Sequence, residues 1–392
     1  MFRGDLTSHV HFYTNLCEVA NNENVSLRAI TFLNIKNFFI QYKLVNHFRK
    51  NHNIQIYPSL FPYISEVLFF GLQLFFYSKI VVHTKKTNPR PLLLLKKFSK
   101  KIKLIIDLEG DLIFEKDFLQ LNPYKDEFYK NDIISITKNL VSHNRLLDRV
   151  DKIIVLNDSF KAILVKRNRK LEDKIITSNI LSFRRNTFCY DDNLRNKYRS
   201  LLNCNEEPII CYIGNVYYSW QNISKTIKLF KKIKELINVN AKLLLLVRSV
   251  DHHIVREFIK KEKIKSEDHI LKNVDNTEVL GYLNAADLGI VIRDFHPMNS
   301  IVTSGKLLDY LGSGLPVITT SILDKIPNEI KNHGFGYVMD DIKLENININ
   351  EVKSLLNFDL NKRKAISNWA NLNFSLEVSA KNYIRYLKKL KH

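Results

Sequence analysis

The sequence predicts a two-domain α/β protein whose parallel strands are covered by helices. Three observations carry that class. Short apolar runs alternate with longer amphipathic ones, and a polar stretch interrupts the rhythm near mid-chain. Late in the second half, a polar loop, a glycine-punctuated helix and an apolar strand follow one another. A chain of 392 residues has room for two substantial cores. Its composition, 45% hydrophobic and 26% charged, excludes wholesale disorder.

In the first half the apolar runs predict strands over Ser26–Phe32, Ile54–Tyr57, Ile80–His83, Lys103–Ile106, Lys152–Leu156 and Lys174–Thr177. Helical patterns lie between them, the longest at Glu127–Val150. Gly4–His9 already reads like the loop after a strand, so either an opening strand is lost or the true start lies upstream. The polar stretch Ser178–Glu207 places the domain boundary, giving domains 1–190 and 191–374. Pro208 then opens strand Ile209–Ile213, helix Ile223–Ile237, strand Lys242–Val247, helix Val255–Lys263, strand His269–Leu271, helix Thr277–Leu283 and strand Leu288–Ile292. Strand Leu315–Thr319, the segment Gly334–Met339 and an amphipathic last helix, Ser375–Leu390, complete the chain. Two Rossmann-like domains facing across a cleft are the economical architecture. Parallel sheets of this kind bind ligands at the carboxyl ends of their strands, where Gly214 and Arg293 fall.

The net charge of +20 calls for an anionic partner: nucleic acid, a membrane surface or an anionic substrate. Basic clusters occur at Lys96–Lys103, Arg167–Lys170, Arg184–Arg185 and Lys388–Lys391, and none sits on a nucleic-acid motif. Lys-, Asn- and Ile-rich usage can also reflect genome base composition. A membrane surface is favoured over nucleic acid, which is not expected. Four scattered cysteines, Cys17, Cys189, Cys204 and Cys211, read as small core residues of a protein from a reducing cytosol. Met1–Tyr13 lacks the apolar core of a signal peptide. The most hydrophobic window, Val67–Phe76, is too short to span a bilayer; it predicts a buried helix, with an interfacial patch that meets lipid as the alternative. His252 and His253 lack a third ligand, so no metal is expected.

The richest segment is Arg293–Val317, RDFHPMNSIVTSGKLLDYLGSGLPV. As a helix it puts Lys306, Asp309 and Ser313 on one face, with Leu307, Leu308 and Leu311 on the other. A cation and a carboxylate near a helix N-terminus suit a phosphorylated, ribose-bearing ligand. The helix end and Lys306 would face the anion, and Asp309 would accept from ribose hydroxyls. The same pair also reads as an ordinary solvated i, i+3 contact, and Gly312 and Gly314 as a plain helix stop.

This segment resembles the nucleotide-binding signature of GT-B fold glycosyltransferases, specifically the retaining family four type. One branch has a pattern close to R-x5-N-x4-P-x-K-x-x-E-Y-L-x-x-G-L-P-V. Arg293, Asn299, Lys306, Tyr310, Leu311, Gly314, Leu315, Pro316 and Val317 match it without a gap. Asp309 stands where the family has Glu, and Ser304 where Pro is usual. Ile301 stands where the broader family's E-x7-E motif has its first Glu. The run YIG followed by WQN, around Gly214 and Asn215, resembles the family's donor loop. The Arg and Lys that many relatives carry there are absent, leaving Arg248 or Arg293 to supply the charge.

The resemblance implies two Rossmann-like domains with the last helix, 375–392, crossing back to the first, and a donor-binding second domain. It also implies retention of anomeric configuration and no need for a metal or a cofactor beyond the nucleotide-diphosphate sugar donor. Implied donor contacts are Gly214, Asn215, Arg248, Asn299, Ser304, Gly305, Lys306 and Asp309, with Val274 in the segment that reads the base through backbone groups. Catalytic candidates are Arg293 and Lys306, for the leaving diphosphate, and Asp107, at the end of strand Lys103–Ile106. His83 and Glu109 are acceptor-side candidates, although a single His there is more often a satisfied structural residue and a capping loop acid is an equally ordinary role. Asp287, after Asn284-Ala285-Ala286, reads as structural.

The expected reaction is transfer of a hexose to a saccharide or lipid-linked saccharide, in a cytoplasmic protein peripheral to the membrane. Domain closure would exclude water. A nucleotide-sugar epimerase of the same fold and a basic nucleic-acid-binding protein are the alternatives from other classes.

Overall fold

The computed structural model describes residues 55–84, 90–108, 110–121, 146–178, 189–204, 206–237 and 240–391, strand Ile30–Asn34, and single residues within 16–46. The chain forms two compact units. One comprises Met1–Ile113, Ile134–Ile180 and Leu376–His392, the other Phe114–Ile133 and Leu181–Ser375.

The first unit contains a parallel pair, β1 (Ile30–Asn34) and β2 (Gln55–Ser59). It also holds a four-stranded parallel sheet ordered β3 (Ile80–Thr84), β4 (Ile102–Leu108), β5 (Lys152–Val155) and β6 (Ile175–Thr177). Strand β4 runs two residues past the predicted Ile106, because Asp107 and Leu108 are buried and continue the ladder opposite Ile154 and Val155. The last helix, Leu376–Lys391, buries Ala380, Tyr383 and Ile384 among Leu16, Ala20, Ile105 and Ile154. The Gly4–His9 loop, Arg184–Arg185, residues 26–29 and most of the Glu127–Val150 pattern lie outside the described residues.

Helix Pro62–Phe76 starts with Pro near its N-terminus, where the missing N–H costs nothing. The expectation of a buried helix over Val67–Phe76 is corrected here. Glu66 is buried, but Leu68, Leu72, Phe75 and Phe76 face outward, the last two 84% and 78% exposed. A helix apolar on nearly every side cannot bury all of them against one neighbour.

The second unit is built on six parallel strands. Their order is β12 (Gly336–Met339), β11 (Val317–Thr320), β10 (Leu288–Val291), β7 (Ile209–Ile213), β8 (Lys242–Leu246) and β9 (His269–Lys272). Strand β7 is central and covered on both faces, which is why IICYI is continuously apolar rather than alternating. Numbered within the unit the order is 3-2-1-4-5-6, so the strand order reverses between β7 and β10. Such a switch point is where doubly wound sheets bind ligands.

Helix Gly305–Gly312, the signature helix, buries Leu307, Leu308 and Leu311, each worth about 1.5–3 kcal/mol. Tyr310 is also fully buried, and its hydroxyl accepts from Ile213 N–H at 3.0 Å. A Cβ at Gly289 of β10 would fall 2.5 Å from the Tyr310 ring, so only glycine lets this ring through to β7. The helix ends with Gly314 at φ +69° and the Leu315 N–H on the Tyr310 carbonyl, 2.9 Å. That closure holds Leu315 and Pro316 out of the sheet, so β11 starts at Val317 rather than the predicted Leu315.

Asp287 does more than follow a helix stop. Arg195 and Arg199, from helix Asp192–Leu201, meet its carboxylate at 2.5 and 3.0 Å, and Ile209 N–H donates to it at 2.8 Å. Arg363 lies 4.0 Å away. Asn284 accepts from Asp191 N–H at 2.7 Å and donates to the Cys189 carbonyl. Residues 189–201 are thereby fastened to the lower end of the second sheet. Cys204 and Cys211 are buried as expected of small core residues, whereas Cys189 is exposed and Cys17 partly so.

Candidate active site

The carboxyl ends of β7 and β10 carry the loops Gly214–Asn222 and Arg293–Ser304, and the signature helix starts directly after the second. Between them lie two cations that no carboxylate neutralises among the described residues. Lys306 donates to Tyr212 Oη at 2.8 Å and to Gln221 Oε1, with its ammonium 4.4 Å from the Tyr212 ring centroid. Tyr212 in turn donates to the Asn215 carbonyl at 2.8 Å. Arg293 is buried; its guanidinium donates to the Trp220 carbonyl, and its backbone N–H to Thr320 Oγ1 at 3.1 Å.

Gly214 makes the Lys306 arrangement possible. It sits at φ +101°, and a Cβ there would fall 2.8 Å from Lys306 Cε. Any side chain at 214 would strain the turn and push the ammonium aside.

Burial is the main force on both cations. Loss of hydration lowers the Arg293 pKa to about 10, against opposition from Tyr212 and then Asp294. Lys306 is half-buried as a residue, yet its ammonium is enclosed closely enough that desolvation, reinforced by Arg293, takes its pKa well below the ordinary 10.5. Asp309 opposes that shift. Between the lowered value and 10.5 the folded chain binds fewer protons than the unfolded one, so this lysine adds stability as pH rises. A diphosphate needs the charged form and would restore the proton. Nucleoside-diphosphate affinity, measured by calorimetric titration across a pH series, is therefore expected to fall with rising pH well before ordinary lysine titration.

Beside the cations are buried polar atoms with no hydrogen-bond partner among the described residues: Asn299 Oδ1, Thr303 Oγ1 and Ser304 Oγ on one loop, Ser219 Oγ and Asn222 Nδ2 on the other. Buried polar groups are nearly always satisfied, by protein, water or ligand, so five such atoms flanking two cations suit a polar ligand. Asn299 Nδ2 donates to the Asp294 carbonyl at 2.9 Å, which fixes the amide and aims its oxygen elsewhere. Ser304 occupies the N-cap of the signature helix without capping it. Gly305 opens the helix on clear space, so an anion can approach its N–H groups and positive dipole end.

The sequence-predicted residues divide as follows. Gly214, Asn215, Arg293, Asn299, Ser304, Gly305 and Lys306 belong to this loop-and-helix constellation. Asp309 lies one turn along from Lys306 and acts on its charge. Val274 packs against the core beneath the signature helix. Arg248 is spoken for by Asp251, through bonds of 2.9 and 3.2 Å. Ile301 is fully buried, so a carboxylate has no place there.

In the first unit, His83 and Asp107 come together at the carboxyl ends of adjacent strands, His83 Nε2 lying 3.7 Å from Asp107 Oδ2. The Tyr383 ring stands 5.2 Å from the His83 ring. Glu109 lies outside the described residues. Tyr212, Gln221 and Thr303 were not singled out from sequence. Tyr212 hides inside an apolar strand, and its only signal is a hydroxyl in a run otherwise free of side-chain oxygen.

No protein-family model matches the sequence, and no curated protein matches it. Solved structures do match. A glycosyltransferase from Rickettsia africae ESF-5 superposes with a TM-score of 0.66 at 15% identity, over 98% of this chain and 96% of that one. HepE from Anabaena, in complex with UDP-glucose, superposes with a TM-score of 0.64 at 11% identity, over 97% and 96%. WaaG, a glycosyltransferase involved in lipopolysaccharide biosynthesis, gives a TM-score of 0.54 at 13% identity, over 91% and 98%. The chain therefore has the α/β fold of the GT-B glycosyltransferases. At these identities the likeness is one of fold, and the chemistry rests on this chain's own residues.

Proposed function

We propose that this protein is a glycosyltransferase that moves a hexose from a nucleotide-diphosphate sugar to an acceptor hydroxyl. The observation that carries the reading is the pair of enclosed cations, Lys306 and Arg293, which form no ion pair among the described residues and sit among polar atoms unpartnered there, at the N-terminus of the signature helix. A diphosphate neutralises both cations and accepts from the helix end. Asp309 holds the ribose hydroxyls, the Thr303 and Ser304 hydroxyls donate to the donor's phosphate oxygens, and Asn299 Oδ1 accepts from a sugar hydroxyl. HepE's complex with UDP-glucose on the same fold supports this class of donor.

Charge builds on the leaving diphosphate as the glycosidic bond breaks, and preorganised cations in a poorly hydrated site stabilise it without reorganising. Lys306 and Arg293 supply that charge, so transfer needs no divalent ion and persists in a chelator. The anomeric configuration is retained. The acceptor is a saccharide or lipid-linked saccharide of cell-envelope polysaccharide or glycolipid synthesis, reached from the cytoplasm at an anionic membrane surface. Asp107, 3.7 Å from His83, orients the acceptor hydroxyl. Asp107→Asn is accordingly expected to lower kcat by about 10²–10⁴-fold while nucleoside-diphosphate affinity stays unchanged. An equal loss of both would make Asp107 structural.

The direct experiment is a thermal-shift screen against nucleoside diphosphates and their sugars, since a ligand bound only by the folded chain raises its melting temperature. A labelled donor then separates transfer from epimerisation. Epimerised donor with no transfer would overturn the reading, as would salt-sensitive nucleic-acid binding with no response to any nucleotide.

A further inference from the structure

Helix Pro62–Phe76 turns one face inward and leaves the other bare. On the inner side Glu66 is buried, and Gly71 backs onto Leu95 of helix Arg90–Phe98. On the outer side Ile64, Leu68, Leu72 and Phe75 recur at i, i+4, i+8 and i+11, with Phe76 beside them, all more than half exposed. Leu60 and Phe61 extend the strip before the helix, at 68% and 65% exposure. Phe98, also exposed, ends the neighbouring helix next to a turn that reaches back: Lys101 Nζ donates to the Leu74 carbonyl at 3.0 Å. Scattered exposed apolar residues are ordinary, but a continuous strip of this size marks a contact surface.

The charges around the strip say what contacts it. Residues 60–106 contain nine Lys or Arg and one acid, Glu66, which is buried. Lys96 and Lys103 are held by Asp151. Lys97 and Lys100 are exposed, with no carboxylate partner among the described residues. An occupant must therefore be apolar where Phe75 and Phe76 project and anionic at the rim. A second copy of the chain, paired through the same face, would set these lysines against their own equivalents. A lipid surface with anionic headgroups meets both demands. The helix has 15 residues, about 22 Å, and no described helix is long and apolar enough to cross a membrane. It fits lying in the plane of the interface.

We propose that the outer face of Pro62–Phe76, with Lys97, Lys100 and Lys101 at its rim, docks the protein on anionic membranes. This deepens the membrane part of the functional reading and stands apart from its donor chemistry. Vesicle binding without donor use would leave it intact, and donor use without vesicle binding would remove it alone.

The test is co-sedimentation of the full chain with vesicles of phosphatidylcholine alone or mixed with phosphatidylglycerol, at low and high salt. Binding is expected only to the anionic vesicles, weakening in salt. It should fall about tenfold or more in Leu72→Gln/Phe75→Ser and in Lys97→Gln/Lys100→Gln. Nucleoside-diphosphate binding by each variant controls for folding. No binding by the unaltered chain, or equal binding by both folded variants, would overturn the proposal. So would a concentration-dependent dimer abolished by Phe75→Ser, which would make the face a self-association surface.

Discussion

Replacing Lys306 by alanine is expected to lower donor use by about ten- to a hundredfold, the loss of a charged hydrogen bond worth about 1.5–3 kcal/mol. The variant should still fold. Lys306 makes no ion pair among the described residues, and removing its ammonium relieves both its own desolvation and its repulsion of Arg293. What is lost is the positive charge that Tyr212 and Gln221 hold in place and that Gly214 leaves room for. Asp309→Ala should lose donor use to a similar extent through the ribose, whereas Asp309→Glu, which restores the family's usual length, should keep most of it. Steady-state kinetics with a donor found by thermal shift would check all three. Unchanged kcat/KM in Lys306→Ala and Asp309→Ala would remove both residues from the site.

Asp287→Ala is expected to have the largest effect on stability, a loss of about 3–5 kcal/mol. The carboxylate accepts from Arg195, Arg199 and the Ile209 backbone, and Arg363 stands within 4.0 Å. Without it three arginines, two of them almost fully buried, are left facing one another. Burial and the Arg195 charge already draw the Arg363 pKa down to about 10, so this cluster tolerates no further repulsion. Urea denaturation of the variant, compared with the unaltered chain, would show the loss. A midpoint within error of the original would mean that the arginines find other partners.

The candidate site of the second unit was legible from sequence because its information is local. The signature helix follows its loop directly, its leucines bury one face, and its cations fall within 14 positions of each other, at 293 and 306. Strand cores such as Ile209–Ile213 were equally plain, since a central parallel strand is apolar throughout. Boundaries slipped where hydrogen bonds rather than composition decide them. β4 continues through the polar Asp107 because its ladder with β5 does, and β11 starts late because Leu315 is bonded back to Tyr310. The clamp on Asp287 joins positions 78 to 92 residues apart, and no periodicity within one element reveals it. Tyr212 and Gln221 escaped notice for the same reason: their roles come from contacts with Lys306 across 94 and 85 residues. The outer face of Pro62–Phe76 departs from the buried helix expected there because hydrophobicity alone does not tell a core helix from one with an exposed apolar face.

Titrating the unaltered chain and Lys306→Ala with a panel of nucleoside diphosphates tests the central claim most directly. At least one nucleotide should bind the unaltered chain, and bind the variant about ten- to a hundredfold more weakly, with both proteins equally folded. A chain that binds none of them, or binds one equally well without the lysine, would contradict a donor site built on Lys306.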